Sequence, residues 1–158
     1  MDKCEKAEML TMSCEGVRLQ SYQDSAGIWT IGVGLARTYL DGTPICEGDF
    51  CTMDQAKEWL HEYMQQNVYV PVIAFTAFCA PDNVFAALSC MYYNVGPKMF
   101  KDKSLVAAIQ NQDWQSLANI MLTYSKIHRD GQMVECDGLF NRRQKEINFF
   151  LNEDGSLK

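Results

Sequence analysis

The sequence has few histidines and no long apolar run. It contains two histidines, His61 and His128, and none of its seven cysteines stands in a Cys-x-x-Cys pair. A structural zinc site is therefore poorly supported. No apolar run reaches the roughly 18 residues that a helix needs to span a bilayer. The first ten residues lack a basic region followed by an apolar run, so we expect no signal peptide here.

Positive charge is also scarce. Fourteen Lys and Arg stand against twenty Asp and Glu, which gives a formal net charge of −6. A phosphate backbone selects basic surfaces, so this balance argues against nucleic acid as a partner. What the chain does have is 47% apolar residues in a length of 158, enough for one folded domain with a real core.

The seven cysteines allow two interpretations. Disulfides in an oxidising compartment would leave at least one thiol unpaired, because seven is an odd number. Alternatively, most of the cysteines are small buried hydrophobic residues. We expect disulfides, and the sequence does not reveal their pairing. The cysteines are Cys4, Cys14, Cys46, Cys51, Cys79, Cys90 and Cys136.

The N-terminal half changes its pattern twice. Apolar spacing in residues 2–13 predicts a short amphipathic helix that ends just before Glu15. Glycines and short β-branched pieces in residues 16–50 predict a small antiparallel sheet with tight turns. Thr52 then opens "TMDQ", a Thr-x-x-Gln capping box, and a long helix is expected to follow. Pro71 is expected to kink or end that helix.

The C-terminal half is helical in pattern from Asp82 onward. Asn94-Val95-Gly96-Pro97 predicts a firm helix end, because Gly96 suits a C-terminal cap and Pro97 cannot continue a helix. His61 and His128 are interpreted as ordinary residues on helix surfaces. The aromatic residues at helical spacing are interpreted as core; they are Trp59, Phe85, Tyr92, Tyr93 and Phe149.

Together these patterns predict a single α+β domain with a cleft between two lobes. The expected parts are a β lobe at 14–51, a connecting helix at 52–80, and a helical lobe at 81–158 that packs with the helix at 2–13. Glu15 would lie beside the cleft at a helix end, and Asp24 would lie on a hairpin. Hydrolysis of a glycosidic bond needs such a pair of carboxyl groups, one to protonate the leaving oxygen and one on the opposite side.

The residues around this pair resemble the catalytic segment of the phage-type lysozymes, the muramidases that tailed phages use as endolysins. The matching motifs are Glu15-Gly16, Tyr22-Gln23-Asp24 and Trp29-Thr30-Ile31-Gly32. The resemblance continues through "TMDQAKEWLHEYM", "ALSCMYYNVGPKMF" and "DGLFNRRQKEINFFL", and covers residues 13 to 151 in matching order.

The resemblance implies a role for each matching residue. Glu15 corresponds to the general acid, Asp24 to the carboxylate that activates the attacking water, and Thr30 to the hydroxyl that helps to position it. Arg142 corresponds to an arginine that orients the acid; its alternative is a surface arginine near a helix start. Leu35 departs from the family, which usually has histidine there.

Other expectations concern binding. Tyr124, Ser125 and Lys126 precede the last helix near the expected cleft mouth and are candidate sugar contacts. The implied substrate is the glycan strand of peptidoglycan, cut between N-acetylmuramic acid and N-acetylglucosamine. No metal or organic cofactor is implied, because acid and base are both side chains. The alternative function is a non-catalytic peptidoglycan-binding or regulatory protein that kept the fold.

The cell wall or periplasm is the expected place of action. A holin, a removed anchor or a secretion system would deliver the chain as an endolysin or a secreted antibacterial effector. An immunity or inhibitor protein is a candidate partner, and a monomer is expected.

Overall fold

The computed structural model describes residues 1–77 and 79–158. Within them, a small sheet region follows the first helix, and a larger helical region follows the sheet. The helices are α1 (Lys3–Glu15), α2 (Met53–Met64), α3 (Val70–Thr76), α4 (Asp82–Val95), α5 (Lys103–Gln110), α6 (Trp114–Leu122) and α7 (Asp137–Phe150). The strands are β1 (Arg18–Gln23), β2 (Trp29–Gly32), β3 (Leu35–Ala36), β4 (Lys126–Arg129) and β5 (Gln132–Glu135). The predicted α+β class, with a small antiparallel β lobe and a larger helical lobe, is confirmed.

Helix α1 runs two residues further than predicted, so Glu15 is its last residue. Asp2 caps its start: the Asp2 carboxylate accepts the amides of Cys4 and Glu5. Gly16 ends the helix with φ +74°, a conformation that suits glycine, and donates its N–H to the Met12 carbonyl. The chain therefore leaves α1 sharply, directly after Glu15.

The first sheet consists of β1, β2 and β3 in that order, all antiparallel. In its register Tyr22 faces Thr30, Gln23 faces Trp29 and Ile31 faces Leu35. Ile31 and Leu35 belong to the hydrophobic core. One surface of the sheet is thus anchored to the core, while the loop that joins β1 and β2 remains at the surface.

The connection to the helical lobe begins as predicted. The Thr52 hydroxyl accepts the Gln55 amide and the Gln55 side chain accepts the Thr52 amide, which is a complete capping box. The helical path does not end at Pro71 but continues to Thr76 through a π-helical segment, Gln65–Tyr69. The wider turns of this segment break the regular hydrogen-bond pattern just before the proline, which has no N–H to contribute.

Helix α4 is the centre of the helical lobe. It packs against α1, α7 and α3, and eight consecutive residues from Val84 to Met91 are buried. It ends at Val95 as predicted, where Gly96 has φ +77° and donates to the Tyr92 carbonyl. Of the aromatic residues interpreted as core, Phe85 is fully buried; the partly buried ones that pack against the core are Trp59, Tyr92, Tyr93 and Phe149.

A β-hairpin that the sequence analysis missed precedes α7. Strands β4 and β5 pair from Lys126–Glu135 to Arg129–Gln132, and Asp130 and Gly131 form the turn with φ of +51° and +79°. Asp-Gly between two extended segments is a strong hairpin signal. The interpretation of His128 as a helix-surface residue is therefore wrong, since it lies in β4.

The expectation of disulfides is not supported. All seven cysteines lie in the described residues and all are free thiols; two of them, Cys51 and Cys90, are buried in the hydrophobic core. In the described part of the chain, no helix is long and apolar enough to cross a membrane.

Candidate active site

Glu15 stands at the C-terminal end of α1, where its side chain is 23% exposed. One carboxylate oxygen, Oε1, accepts a hydrogen bond of 2.6 Å from Nη1 of Arg142. Arg142 lies on α7, 127 residues away in the chain. The arginine that the resemblance places near the acid is therefore in direct contact with it, and the alternative of a surface arginine is wrong: its side chain is 9% exposed.

The Arg142 guanidinium is fixed by further contacts on its other edges. Nε donates to Glu146 Oε1 at 3.1 Å, and Nη2 donates to the Cys90 carbonyl at 3.3 Å. A planar guanidinium that is held at Nε and Nη2 presents its Nη1 N–H in a fixed direction. The direction of the Nη1 donor toward Glu15 is thus set by α4 and α7 together.

Glu146 connects Arg142 to a second buried arginine. Glu146 and Arg143 are both fully buried, and Glu146 Oε2 lies 3.2 Å from Nε of Arg143. Arg143 Nη2 donates to the Asn94 side chain at 2.7 Å. Burial raises the pKa of Glu146 to about 7, although Arg143 and Arg142 oppose the shift. This carboxyl is therefore the member of the network that titrates near neutral pH.

The second oxygen of Glu15 faces the β lobe. A Cβ atom at Gly34 would lie 3.5 Å from Glu15 Oε2, and Gly34 has φ +76°. Gly34 also lines a groove of about 340 Å³ together with Leu35, Tyr63 and Tyr93. The Tyr63 and Tyr93 rings meet edge to face with centroids 5.3 Å apart. The lack of a side chain at Gly34 thus leaves Glu15 Oε2 open at the edge of an aromatic groove.

Asp24 lies in the loop between β1 and β2 and is held by that loop alone. Its Oδ1 accepts the amides of Ala26 at 2.8 Å and Ile28 at 2.9 Å, and its own amide donates to the Ile28 carbonyl. Within residues 1–77 and 79–158, no group donates a hydrogen bond to Asp24 Oδ2. The carboxylate is thus oriented by one oxygen, and the other oxygen is available to bind water.

Thr30 is in β2, paired with Tyr22 two residues before Asp24. The side chain is 4% exposed, and its hydroxyl donates to the Ile28 carbonyl at 3.0 Å. The proton of the hydroxyl is therefore used within the loop, and its lone pairs remain as acceptors. Asp24 and Thr30 share Ile28 as a hydrogen-bond partner, which ties their positions together.

Tyr124 and Ser125, the candidate sugar contacts, are placed differently by the structure. Tyr124 lines a groove of about 560 Å³ between the end of α4 and the β4–β5 hairpin, and its hydroxyl donates to Asp102 at 2.9 Å. Ser125 is 1% exposed, and its hydroxyl lies 2.7 Å from Glu135. The structure brings Tyr124 and Lys126 to the groove, but it does not bring Ser125 there.

One group of side chains beside the site has the composition of a metal site. Cys14 Sγ, Cys90 Sγ and a Glu146 oxygen lie within 4.8 Å of one another, the one such group found in the described residues. Arg142 and Arg143, however, already lie against the Glu146 carboxylate. A cation here would face two guanidinium groups, so these side chains fit an ion-pair and thiol cluster and do not fit a metal centre.

Comparison with known proteins identifies the family of the chain. The model of the phage lysozyme family matches residues 12–146. The chain belongs to the phage lysozyme family. It is 29% identical over 148 residues to the endolysin of Acyrthosiphon pisum secondary endosymbiont phage 1, covering 92% of this chain and 95% of the relative.

Solved structures give the same result for the fold. The endolysin from Escherichia coli O157:H7 phage FAHEc1 superposes with a TM-score of 0.74 at 30% identity, over 100% of this chain and 98% of that one. The muramidase domain of SpmX from Asticaccaulis excentricus superposes with a TM-score of 0.79 at 24% identity, over 92% and 95% of the two chains. The chain therefore has the lysozyme-like fold, and the family supports a peptidoglycan hydrolase of the muramidase type.

The sequence alone did not reveal several residues of this site. Glu146, Cys90 and Gly34 were not identified as neighbours of Glu15. The spacing of Arg142 and Glu146, four residues apart on a helix, is a recognisable signal for an ion pair. The contacts of Cys90 and Gly34 with the site depend on how α4 and the sheet pack, and no local pattern in the sequence carries that information.

Proposed function

We propose that this chain is a lysozyme that hydrolyses the β-1,4 bond between N-acetylmuramic acid and N-acetylglucosamine in peptidoglycan and thereby lyses bacterial cells. The observation that carries the proposal is the Glu15–Arg142 contact of 2.6 Å at the edge of a groove, with Glu15 Oε2 facing Gly34. Membership of the phage lysozyme family supports the reaction class.

Glu15 is proposed as the general acid. Because Arg142 holds Oε1 from the interior side, the proton to be transferred sits on Oε2, which faces the groove. The proton passes to the glycosidic oxygen as the bond between that oxygen and the anomeric carbon breaks. Positioning of this proton donor is the contribution of the Arg142 network, since a rotated carboxyl would not reach the leaving oxygen.

Asp24 and Thr30 are proposed to hold the attacking water. Asp24 Oδ1 is occupied by two backbone amides, so Oδ2 accepts a proton from the water, and the Thr30 hydroxyl oxygen accepts a second hydrogen bond. The water attacks the anomeric carbon from the side opposite the departing oxygen. Such an arrangement inverts the configuration and requires the two carboxyl groups to be about 6.5–9.5 Å apart.

The glycan strand is proposed to lie along the groove beside Gly34. Tyr63 and Tyr93 give it apolar walls suited to sugar rings, and Leu35 fills the position where the family usually has histidine. Leu35 is 9% exposed and belongs to the hydrophobic core, so its role there is packing. Tyr124 is proposed as a further contact, from the neighbouring groove.

A turbidity-clearing assay on purified peptidoglycan tests the proposal, with Glu15→Gln as the decisive variant. The amide keeps the shape of the side chain and can still accept from Arg142, but it has no acidic proton to transfer. General acid catalysis contributes typically ~10²–10⁴-fold, so the clearing rate should fall by that factor. Glu58→Gln, an exposed glutamate on α2, is the matched control and should clear at the parental rate.

Circular dichroism of both variants checks that the fold persists. A parent protein that binds peptidoglycan but does not clear it would support the alternative, a non-catalytic wall-binding protein. Clearing by Glu15→Gln within a few-fold of the parent would remove Glu15 from the mechanism. The monomeric state, the inhibitor or immunity protein, the effector role and the route of delivery stay predictions of the sequence.

A further inference from the structure

Two thiols face each other directly beneath the Glu15–Arg142 pair. Cys14 precedes Glu15 on α1, and Cys90 lies on α4, the helix that packs against it. Their sulfur atoms are within 4.8 Å. A disulfide bond is about 2.05 Å long, so closure requires the two side chains to turn toward each other across this helix interface. Cys90 is fully buried and Cys14 is partly exposed, so solvent reaches the pair from the Cys14 side.

The two sulfurs differ in their readiness to react. The neighbouring Cys90 thiol lowers the pKa of Cys14 to about 6; burial opposes this shift and the nearby Arg142 adds to it. The same contact with Cys14, together with burial, raises the pKa of Cys90 well above its usual value. A thiolate that is partly exposed beside an arginine is the reactive form of cysteine. Cys14 is therefore the sulfur that reacts first with an oxidant, while the Cys90 thiol keeps its proton.

A proton acceptor for Cys90 is also in place. The Cys90 thiol donates to Glu146 Oε1 at 3.4 Å. Burial raises the pKa of this carboxyl to about 7, which makes Glu146 a better base than an ordinary carboxylate. Cys90 can thus become a thiolate when Cys14 has been oxidised, without a proton having to reach solvent.

We propose that Cys14 and Cys90 form a redox modification site in which a peroxide oxidises Cys14 and Cys90 then closes a reversible disulfide between α1 and α4. In the first step the Cys14 thiolate attacks hydrogen peroxide, a sulfur–oxygen bond forms, the peroxide bond breaks and hydroxide leaves. In the second step Cys90 passes its proton to Glu146 and attacks the Cys14 sulfur. The sulfur–sulfur bond forms as hydroxide leaves, and protonation of both hydroxides gives two waters in total.

The two exposed thiols have different surroundings. Cys46 and Cys79 are exposed, and their recorded hydrogen bonds run to the carbonyls of Pro44 and Ala77. Within the residues that the structure describes, these hydrogen bonds join each sulfur to a backbone carbonyl and to no base or cation. These two cysteines are therefore suitable positions for a background in which exposed thiols cannot compete for the oxidant.

The experiment uses the full chain with Cys46→Ser and Cys79→Ser. The protein is treated with a small excess of hydrogen peroxide, alkylated, digested without reductant and analysed by mass spectrometry. We expect the number of alkylatable thiols to fall by two and a peptide pair linking Cys14 to Cys90 to appear. Dithiothreitol should restore both thiols. The result does not depend on the proposed hydrolysis, because mass spectrometry detects the cross-link in the absence of peptidoglycan.

Two variants make the test decisive. Cys14→Ser should abolish the loss of thiols, and this partly exposed position tolerates the change. Cys90→Ala should leave Cys14 as a sulfenic acid that a 1,3-diketone reagent traps. A linked peptide that joins other cysteines, or oxidised protein in which Cys14 and Cys90 are still alkylated to the same extent as before, would overturn the proposal.

Discussion

The two carboxyl groups proposed for catalysis are held in opposite ways. Glu15 is oriented by Arg142, which is 127 residues away, and through it by Glu146 and Cys90. Asp24 is oriented by the backbone amides two and four residues further along its own loop. One group therefore depends on the packing of three helices, whereas the other depends on a single turn.

This difference has a physical consequence. The network of Glu15 is largely buried, where an unpaired charge costs several kcal/mol. The loop of Asp24 is near the surface, where water can replace a lost partner. Changes to the surroundings of Glu15 should therefore affect stability as well as rate, while changes to Asp24 should affect mainly the rate.

The strongest test of this comparison is Asp24→Asn. The amide oxygen can still accept the amides of Ala26 and Ile28, so the loop should keep its shape. The carboxylate that is proposed to take the proton from water is lost, and a fall in clearing rate of ~10²–10⁴-fold is expected. The melting temperature should stay within one or two degrees of the parent. A loss of fold in this variant would contradict the local character of the Asp24 site.

The product released by the parent protein sharpens the same prediction. If Asp24 activates water, NMR of the freshly released reducing end should first show the α-anomer, because the β bond is inverted. A β-anomer as the first product would mean that Asp24 acts as a nucleophile, with the carboxyl groups about 5–5.5 Å apart.

The next largest effect is expected for Arg142→Gln, on stability. Removing one partner from a buried ion pair typically costs ~3–5 kcal/mol, because the other charge is left uncompensated. Glu146 would keep its ion pair with Arg143 but lose the hydrogen bond from Nε of Arg142. Glu15 would lose the hydrogen bond that orients its carboxyl group. Thermal unfolding followed by circular dichroism measures the change. Arg129→Gln, at an exposed arginine in β4, is the control and should stay within about 0.5 kcal/mol.

The same division between local and long-range contacts explains what the sequence could predict. The capping box at Thr52 and the helix end at Gly96 involve residues three or four apart, and both were predicted correctly. The Asp130-Gly131 hairpin was equally local and was missed because the apolar pattern before it was interpreted as one continuous helix.

Long-range placements were predicted only where the family resemblance supplied them. The contact of Arg142 with Glu15 is of this kind. Ser125, assigned from its position in the chain alone, is buried against Glu135 and does not reach the groove. The disulfides were inferred from the number of cysteines, and a count carries no information on which sulfurs meet.

A smaller effect concerns pH and stability. The pKa of Glu146 is raised to about 7 in the folded chain, from a usual value of 4.5. Between these values the folded state binds the proton more tightly than the unfolded state, so the stabilisation is complete below about pH 4.5 and is lost as the pH rises through about 7. One proton gives a slope of at most ~1.4 kcal/mol per pH unit.

The variant Glu146→Gln isolates this contribution. Melting temperatures of parent and variant, measured from pH 4.5 to 8, should show a decrease in the parent that the variant lacks. Glu153→Gln, at an exposed glutamate near the C-terminus, should keep the parental slope. Parallel curves for the parent and Glu146→Gln would show that Glu146 does not titrate in this range.

The smallest effect is expected for Tyr124→Phe, in the groove beside the β4–β5 hairpin. The change removes only the hydrogen bond of 2.9 Å from the Tyr124 hydroxyl to Asp102 and leaves the ring that faces the groove. A single such bond contributes about 0.5–1.5 kcal/mol to stability. Burial, with the bond to Asp102, raises the pKa of Tyr124 to about 12, so the phenol stays protonated and the loss should be the same from pH 5 to 9. A double-mutant cycle with Asp102→Asn measures the coupling of the pair.

The proposed sugar contact of Tyr124 is made by its ring, so Tyr124→Phe should clear peptidoglycan within a few-fold of the parent, while Tyr124→Ala should raise KM. A large loss of rate in Tyr124→Phe would instead assign the hydroxyl to substrate binding.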